Sequence, residues 1–280
     1  MHIRPNATTP ITKFFRKLEL NFSNILYLNG IIKIEGVFFV AYQSVFKRYE
    51  IKFLLDPEQY DAVWNAVKAH MSPDRYDKTL ICNVYYDTAS YRMIRKSLEK
   101  PVYKEKLRLR SYGPTVGDGP VFVELKKKYD GIVYKRRLLL PEQQAQRWLA
   151  GGTAPTDSQI AREITYVRDY YGDLSPRMYI SYSRSAWLGK EEEALRVTFD
   201  RDICCRQTEL SLSAPPGGVP ILDPRLVLME VKTPRAIPLW LVRVLTENHI
   251  YKTSFSKFGT AYEKMLKGEL KNGNLVSGNF

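Results

Sequence analysis

The stretch VYKEKLRLRSYGPTVGDGPVFVELKKKYDGIVYKRRLLL, residues 102–140, reads as three strands and sets the pattern for the rest of the chain. In the first strand Leu107 and Leu109 alternate with Lys106, Arg108 and Arg110. Strand side chains point to opposite faces in turn, so one face is aliphatic and the other a ladder of cations. In the second, Val121, Val123 and Leu125 form the apolar face, while Glu124, Lys126 and Lys128 share the opposite one. The breaks between strands are a Gly/Pro loop over 113–120 and the hairpin pair Asp130-Gly131. Alternating charge is also the ordinary pattern of the wet side of an antiparallel sheet, so this stretch alone leaves open what the charged face meets. Repetition decides it.

Upstream, VFKRYEIKFLL (45–55) is a strand with Arg48, Glu50 and Lys52 on one face and Tyr49, Ile51, Phe53 and Leu55 on the other. Asp56-Pro57 then caps an amphipathic helix to about Met71, with Tyr60, Val63, Trp64 and Val67 at helical spacing. A strand over 79–88 and a helix over 90–98 lead into the opening stretch. Past it, a short helix starts at Pro141-Glu142 and stops at Gly151-Gly152, and a second spans 158–171. RMYISYSRSAWLG (177–189), LRVTFDRDICCR (195–206) and LVLMEVKTP (226–234) repeat the strand pattern. In them Tyr182 with Arg184, then Arg196, Thr198 and Asp200, then Glu230 with Lys232, each share a face. Helices over 237–248 and from the SFSKF segment to about Lys267 complete the pattern.

The chain has 280 residues, enough for one large domain or two small ones, and its 44% hydrophobic and 12% aromatic content excludes a disordered chain. A formal charge of +13 implies a polyanionic partner. Three cysteines, Cys82, Cys204 and Cys205, lack zinc or disulfide spacing, and a reducing, cytoplasmic setting is expected. The three histidines are scattered, so any metal would sit on carboxylates, which points to magnesium or manganese. Residues 1–43 show no clean period, with Glu19, Lys33 and Glu35 interrupting every run long enough to span a bilayer, and no signal peptide is recognisable. The expected organisation is an appendage at 1–43, one domain at 44–268 and a polar, frayed tail at 269–280. The oligomeric state is left open.

At least six strands carry Lys or Arg on one side and apolar groups on the other. Amphipathic helices need an apolar surface to cover. The expected fold is therefore α+β: an antiparallel β-barrel tunnel with the apolar faces outward under helices and the charged faces lining a lumen. Desolvating an unpaired charge costs roughly several kcal/mol, so the lumen cations are expected to await a ligand. A triphosphate satisfies Arg by bidentate bonds and Lys as a point charge, while a carboxylate holds a metal that bridges phosphate oxygens. No Gly-rich phosphate loop is present, so side chains must do the gripping.

These stretches resemble the polyphosphate polymerase (VTC) domain of the triphosphate tunnel metalloenzyme superfamily, which is CYTH-like. The resemblance rests on RYEIKF (48–53), YYDT (85–88), KLRLRSY (106–112), VELKKK (123–128), YSR (182–184), RVTFD (196–200), MEVKT (229–233) and SFSKF (254–258), in that order. It implies phosphate contacts from Lys52, Arg108, Arg110, Lys126, Arg184, Arg196 and Lys257, hydroxyl donors at Tyr182 and Ser256, and Glu230 as ligand of Mn2+ or Mg2+. Arg48 stands where the superfamily's hydrolases often have a glutamate, which favours the polymerase branch. Ser254 stands where the eukaryotic polymerase pattern has a second lysine, with Lys252 the nearby candidate substitute.

The expected activity is transfer of the gamma-phosphoryl group of ATP, or another nucleoside triphosphate, to a growing polyphosphate chain. The alternatives are a triphosphatase using the same tunnel with water as acceptor, and a non-catalytic polyphosphate or inositol polyphosphate sensor. Nucleic acid is not the expected partner, because the basic residues alternate within strands instead of clustering on a helix or beside exposed aromatics. Glu50 and Glu124 are either auxiliary metal ligands or spacers that orient neighbouring cations, with the second reading preferred, and Asp200 is a candidate to join the metal site. Lys127, Lys128, Lys135, Arg136 and Arg137 are read as a basic cluster that either guides polyphosphate to the tunnel mouth or is solvated surface.

Overall fold

A computed structural model describes residues 26–28, 31–34, 37–40, 49–130, 132–191, 194–234 and 236–270. The chain divides into two units, Met1–Ser44 and Val45–Phe280. In the first, strands β1 (Leu26–Leu28), β2 (Ile31–Ile34) and β3 (Val37–Val40) form an antiparallel sheet, runs too short for a period to show in the sequence. Arg48, Gly131 and residues 271–280 of the polar tail lie outside the described residues.

The second unit opens with β4 (Tyr49–Leu55) and helix α1 (Pro57–His70). The Asp56 carboxylate accepts from Gln59 N at 2.9 Å and the Gln59 side chain accepts from Asp56 N, so two otherwise orphaned amides are satisfied reciprocally. Strand β5 (Met71–Asp87) begins well before the expected 79, because its first part is irregular: pairing with β9 shifts register between Pro73 and Lys78. Helix α2 (Arg92–Leu98) follows, then the three strands of the opening stretch, β6 (Tyr103–Tyr112), β7 (Pro120–Tyr129) and β8 (Ile132–Pro141). Asp130 takes φ 43° in the β7–β8 hairpin, where Tyr129 pairs with Ile132. Then come α3 (Glu142–Leu149), α4 (Gln159–Tyr171), β9 (Ser175–Gly189), β10 (Arg196–Arg206), β11 (Val219–Pro220) and β12 (Val227–Thr233). The last elements are α5 (Leu239–Glu247), β13 (Lys252–Thr253) and α6 (Lys257–Leu266).

Ten of these strands make one antiparallel sheet in the order β13-β4-β12-β10-β9-β5-β6-β7-β8, with β11 on β10. The fold is α+β. The two outer strands, β13 and β8, are not hydrogen-bonded to each other, so the tunnel is a curled sheet and its closure comes from side chains. Lys126 of β7 reaches Glu50 of β4 at 3.2 Å although six strand steps separate them in the sheet.

The apolar faces lie outward under helices, as the alternation requires. Val63 and Val67 of α1 and Leu241 and Leu245 of α5 cover Phe53, Val197, Phe199, Met229 and Val231. Ala145, Trp148 and Leu149 of α3, with Ala161, Ile164 and Val167 of α4, cover Leu107, Leu109, Val121, Val123 and Leu125. Each Val, Leu, Ile, Met or Phe among them, once buried, contributes about 1.5–3 kcal/mol relative to exposure. A third cluster joins Ile94 of α2 and Phe258, Ala261 and Tyr262 of α6 to Ile81, Tyr85, Ile180, Tyr182 and Leu228. Tyr182 shares its face with Arg184, so α2 and α6 cover part of the inner face and divide it into an apolar region and a charged one.

Asp87, the acid of YYDT, is fully buried and sets the start of α2. Its carboxylate accepts from the backbone N–H groups of Thr88, Met93 and Ile94 at 2.8–2.9 Å, while Tyr91 turns the chain at φ 58°. Asp87→Ala orphans three buried donors and is expected to lower stability by about 3 kcal/mol, with Asp87→Asn milder because an acceptor remains. Urea unfolding checks this; an Ala variant within experimental error of the parent would remove Asp87 as the organiser of α2.

Candidate functional site

The charged region of the inner face is built around four carboxylates. Glu124 on β7 has no exposed surface. One of its oxygens accepts from Arg108 Nε at 2.9 Å and Nη2 at 2.6 Å. Lys135 of β8 approaches the other oxygen at 2.5 Å, an ion pair without the angle of a hydrogen bond, and Arg110 Nε stands 3.8 Å from the oxygen that Arg108 holds. Burial opposes ionisation, but Arg110, Arg108 and Lys135 together hold the Glu124 carboxyl well below the usual carboxylate range. Arg108 also donates to Tyr85 Oη at 2.9 Å, and Arg110 donates to Asn83 Oδ1 at 2.8 Å and Tyr182 Oη at 3.1 Å.

Asp200 on β10 is equally buried and equally tightly held. Arg184, its cross-strand partner on β9, donates to both oxygens at 2.6 and 2.7 Å, and Lys257 at the start of α6 donates at 2.6 Å. Burial lowers the Lys257 value, yet Asp200 and Glu230 raise it to about 12. The Tyr182 ring lies under both cations, 4.5 Å from Lys257 and 5.3 Å from Arg184.

Glu230 on β12 is buried in a different manner. Lys52, Arg184, Lys232 and Lys257 surround it at 3.5–3.6 Å, each too distant for a hydrogen bond. Burial acts against its charge and the four cations outweigh that, so its carboxyl is held well below the usual range. Lys232 pays the reverse cost: burial pushes it down to about 8 despite Glu230. Glu50, on β4, lies 3.4 Å from Lys52 and 3.2 Å from Lys126.

The structure therefore brings Lys52, Arg108, Arg110, Lys126, Arg184, Lys257, Tyr182, Ser256 and Glu230 to one interior surface. Arg196 shares the face of Lys232 but stands at the rim, paired at 2.8 Å with Asp74 from the irregular start of β5. Lys252 pairs with Phe53, whose side chain belongs to the outer cluster, while Thr253 pairs with Lys52; Lys252 is thus on the outer side and does not stand in for a lysine at Ser254. The basic cluster of β7 and β8 divides. Lys127 and Arg136 bond Glu163 of α4 on the outer side, whereas Lys135, opposite Lys126, turns inward.

Three interior cations were not among the expected contacts. Lys232 was read as sharing the face of Glu230 without a phosphate role. Lys135 could be placed only through the β7–β8 register. Lys106 carried a plain signal, two residues before Arg108 in the same alternation. The expectation that the cations lack partners in the empty tunnel is corrected: Glu124, Asp200, Glu230 and Glu50 neutralise them, because acids two residues along or one strand across share their face.

Among the described residues no group of three or more His, Cys, Asp or Glu side chains could cage a metal. What the site offers a hard cation is a single carboxylate. Glu230 is the one whose oxygens meet no donor closer than 3.5 Å, whereas Asp200 and Glu124 are engaged at 2.5–2.9 Å. One carboxylate, with phosphate oxygens and water completing the shell, is how magnesium-type ions are ordinarily held. No described helix is long and apolar enough to cross a membrane.

The VTC domain profile matches residues 47–266 of the chain. No curated protein matches it. Among solved structures, a candidate adenylate cyclase from Vibrio parahaemolyticus is 13% identical, with 80% of this chain and 99% of that one covered and a TM-score of 0.43. A second, from Bacillus halodurans, is 12% identical over 85% and 96% of the two chains at 0.43. A candidate adenylyl cyclase from Hippeastrum, described as having a dominant triphosphatase activity, is 17% identical over 78% and 95% at 0.42.

The pairing of charges inside the tunnel has measurable consequences. Arg108→Ala removes the closest guanidinium from buried Glu124 and leaves Lys135 and Arg110 beside it, and is expected to lower apo stability by about 2 kcal/mol, below the full cost of breaking a buried pair because these partners remain. An unchanged or higher melting temperature would show that Arg108 is not held by Glu124. Acid titration gives a second check. Burial pushes the Glu50 carboxyl up, and Lys126, Lys232 and Lys52 more than offset this, leaving it at about 2 against an ordinary 4.5. A depressed folded value means stability present above pH 4.5 and lost as pH falls toward 2. Glu50→Gln should flatten that part of the stability profile, and an unaltered acid limb would contradict it.

Proposed function

Starting from a chain that belongs to the VTC domain family, we propose that its tunnel binds a triphosphate with a divalent cation and transfers the terminal phosphoryl group of ATP to a polyphosphate chain. The observation that carries this reading is Glu230, a buried carboxylate ringed by four cations at 3.5–3.6 Å, on a face where Asp200 and Glu124, the other fully buried acids, are engaged at 2.5–2.9 Å. A terminal polyphosphate oxygen attacks the gamma phosphorus, the bond from that phosphorus to the beta–gamma bridging oxygen breaks, and ADP departs. Charge spread over the transferred group is then met by fixed donors.

The chain's own residues supply orientation and neutralisation. Arg184 and Lys257, locked on Asp200, present charge without needing to reorganise; Arg108 does the same on Glu124, and Arg110 on Asn83 and Tyr182. Lys52 and Lys126, bridged by Glu50, face them from β4 and β7. Glu230 would hold the manganese or magnesium ion, which when bound supplies positive charge shared between phosphate oxygens. Three buried free cysteines suit a reducing, cytoplasmic compartment.

Glu230→Gln keeps shape and removes the charge that attracts a hard cation. Polymer formation from ATP should fall at least tenfold at limiting manganese, while triphosphate affinity measured by calorimetry without metal is kept or improved, since one repulsive carboxylate is gone. Turnover equal to the parent at limiting manganese would take the metal role away from Glu230. For the parent protein, orthophosphate release without polymer would assign a triphosphatase, and tight metal-independent binding without turnover a sensor.

A further inference from the structure

The inference concerns Lys106 and rests on the tunnel reading above, to which it adds one subsite. Lys52, Arg108, Lys126, Lys135, Arg184, Lys232 and Lys257 each lie within 3.6 Å of a carboxylate. Lys106 does not. Among the described residues its ammonium meets one polar group, Ser256 Oγ, at 2.8 Å across the tunnel from β6 to the start of α6.

The donor count at this spot is unusual. Ser256 Oγ already accepts from Gly259 N at 3.1 Å as the cap of a ten-residue helix. If it also accepts from Lys106, both of its lone pairs are in use and its O–H hydrogen is left to give. Lys106 has three N–H hydrogens and spends one on Ser256. The pair therefore presents donors and no acceptor. Charge points the same way, because the charged groups that act most strongly on Lys106 are cations: Lys126 from β7, Lys52 from β4, and Lys104 and Arg108 on its own strand; the nearby Glu50 of β4 is taken up by Lys126 and Lys52. Phosphoryl oxygens are acceptors only and carry the missing negative charge.

We propose that the Lys106 ammonium and the Ser256 hydroxyl form a subsite that takes one phosphoryl group of a triphosphate or polyphosphate. Burial, with Lys126 and Lys52 beside it, pushes Lys106 down to about 7, so part of the population is neutral in the empty tunnel at pH 7.5. A phosphoryl group seated against it restores the charge, and binding draws a proton from solution. Affinity should accordingly weaken as pH rises from 7 to 9. Lys135, on β8 opposite Lys126, also lies at about 7, lowered by burial, but it is engaged with Glu124.

The test is calorimetry of inorganic tripolyphosphate, without metal, at pH 7.5 in two buffers of different ionisation enthalpy. Lys106→Met should bind at least tenfold more weakly and take up measurably less proton, with a melting temperature equal to or above the parent's because a repelled charge is gone. Lys106→Arg should recover affinity while its proton uptake stays low, a combination that a merely structural role would not produce. Repeating the titration with ATP identifies the source: a parallel loss places the donor nucleotide's phosphoryl group in the subsite, and a loss confined to tripolyphosphate places the acceptor chain there. If Lys106→Met leaves affinity within twofold and uptake unchanged while Lys126→Met weakens binding, the subsite is wrong and the tunnel stands. If the parent protein does not bind tripolyphosphate at all, the tunnel reading itself fails.

Discussion

Charge neutralisation inside a curled sheet is the constraint on which the rest of this structure depends. Nine interior cations, from Lys52 to Lys257, could not share a low-dielectric concave face unless acids were placed among them, since an unpaired buried charge costs roughly several kcal/mol. The acids do more than cancel charge. Glu124 ties β7 to β6 and β8, Asp200 ties β10 to β9 and α6, and Glu50 joins β4 to β7 across the opening that backbone hydrogen bonds leave unclosed. The curl of the sheet and the electrostatics of the tunnel are one arrangement. Acids are nevertheless outnumbered, so a positive excess remains for a polyanion once structural pairing is satisfied.

That excess is directional because the inner face is not uniform. Helices α2 and α6 bring Ile94, Phe258 and Tyr262 against Tyr85, Ile180 and Tyr182, so part of the interior is ordinary apolar core. Tyr85 and Tyr182 mark the border. Their rings pack into that core while their hydroxyls accept from Arg108 and Arg110, which fixes the two guanidinium groups from the side opposite Glu124. Packing thus pre-orients the cations, and less reorganisation is left for substrate binding to accomplish.

Much of the architecture was legible in the chain because a period of two is robust: RYEIKF, KLRLR, VELKKK and MEVKT each announce which side chains share a face. Elements lacking that signal were not. Strands β11 and β13 are two residues long, and the irregular start of β5 carries Pro73, which reads as a breaker. Within the site, alternation assigns a face and says nothing about distance. Glu124 and Arg108 were each placed inward, but their clasp depends on the register that sets them opposite across β6 and β7. The expectation of unpartnered cations failed for this reason. Lys135 was misplaced for the same one, since only its position opposite Lys126 shows that it turns inward while its neighbour Arg136 turns out to Glu163.

Distance also separates acids that the sequence presents as equivalent. Asp200 and Glu230 occupy inner-face positions on adjacent strands, both buried, both ionised by surrounding cations. Asp200 is bonded at 2.6–2.7 Å by a guanidinium that matches its two oxygens and by Lys257, and the three groups form a rigid unit whose disruption would strand a buried charge. Glu230 is attracted by the same Arg184 and Lys257 but stands almost 1 Å farther from them. Three of its four cations, Lys52, Arg184 and Lys257, are shared with Glu50 or Asp200, which are already closer to them. A carboxylate held by field and not by contact keeps its lone pairs for an incoming ion. The fold can therefore use one acid as a girder and its neighbour as a ligand without changing the residue type, only the number of cations that reach it closely.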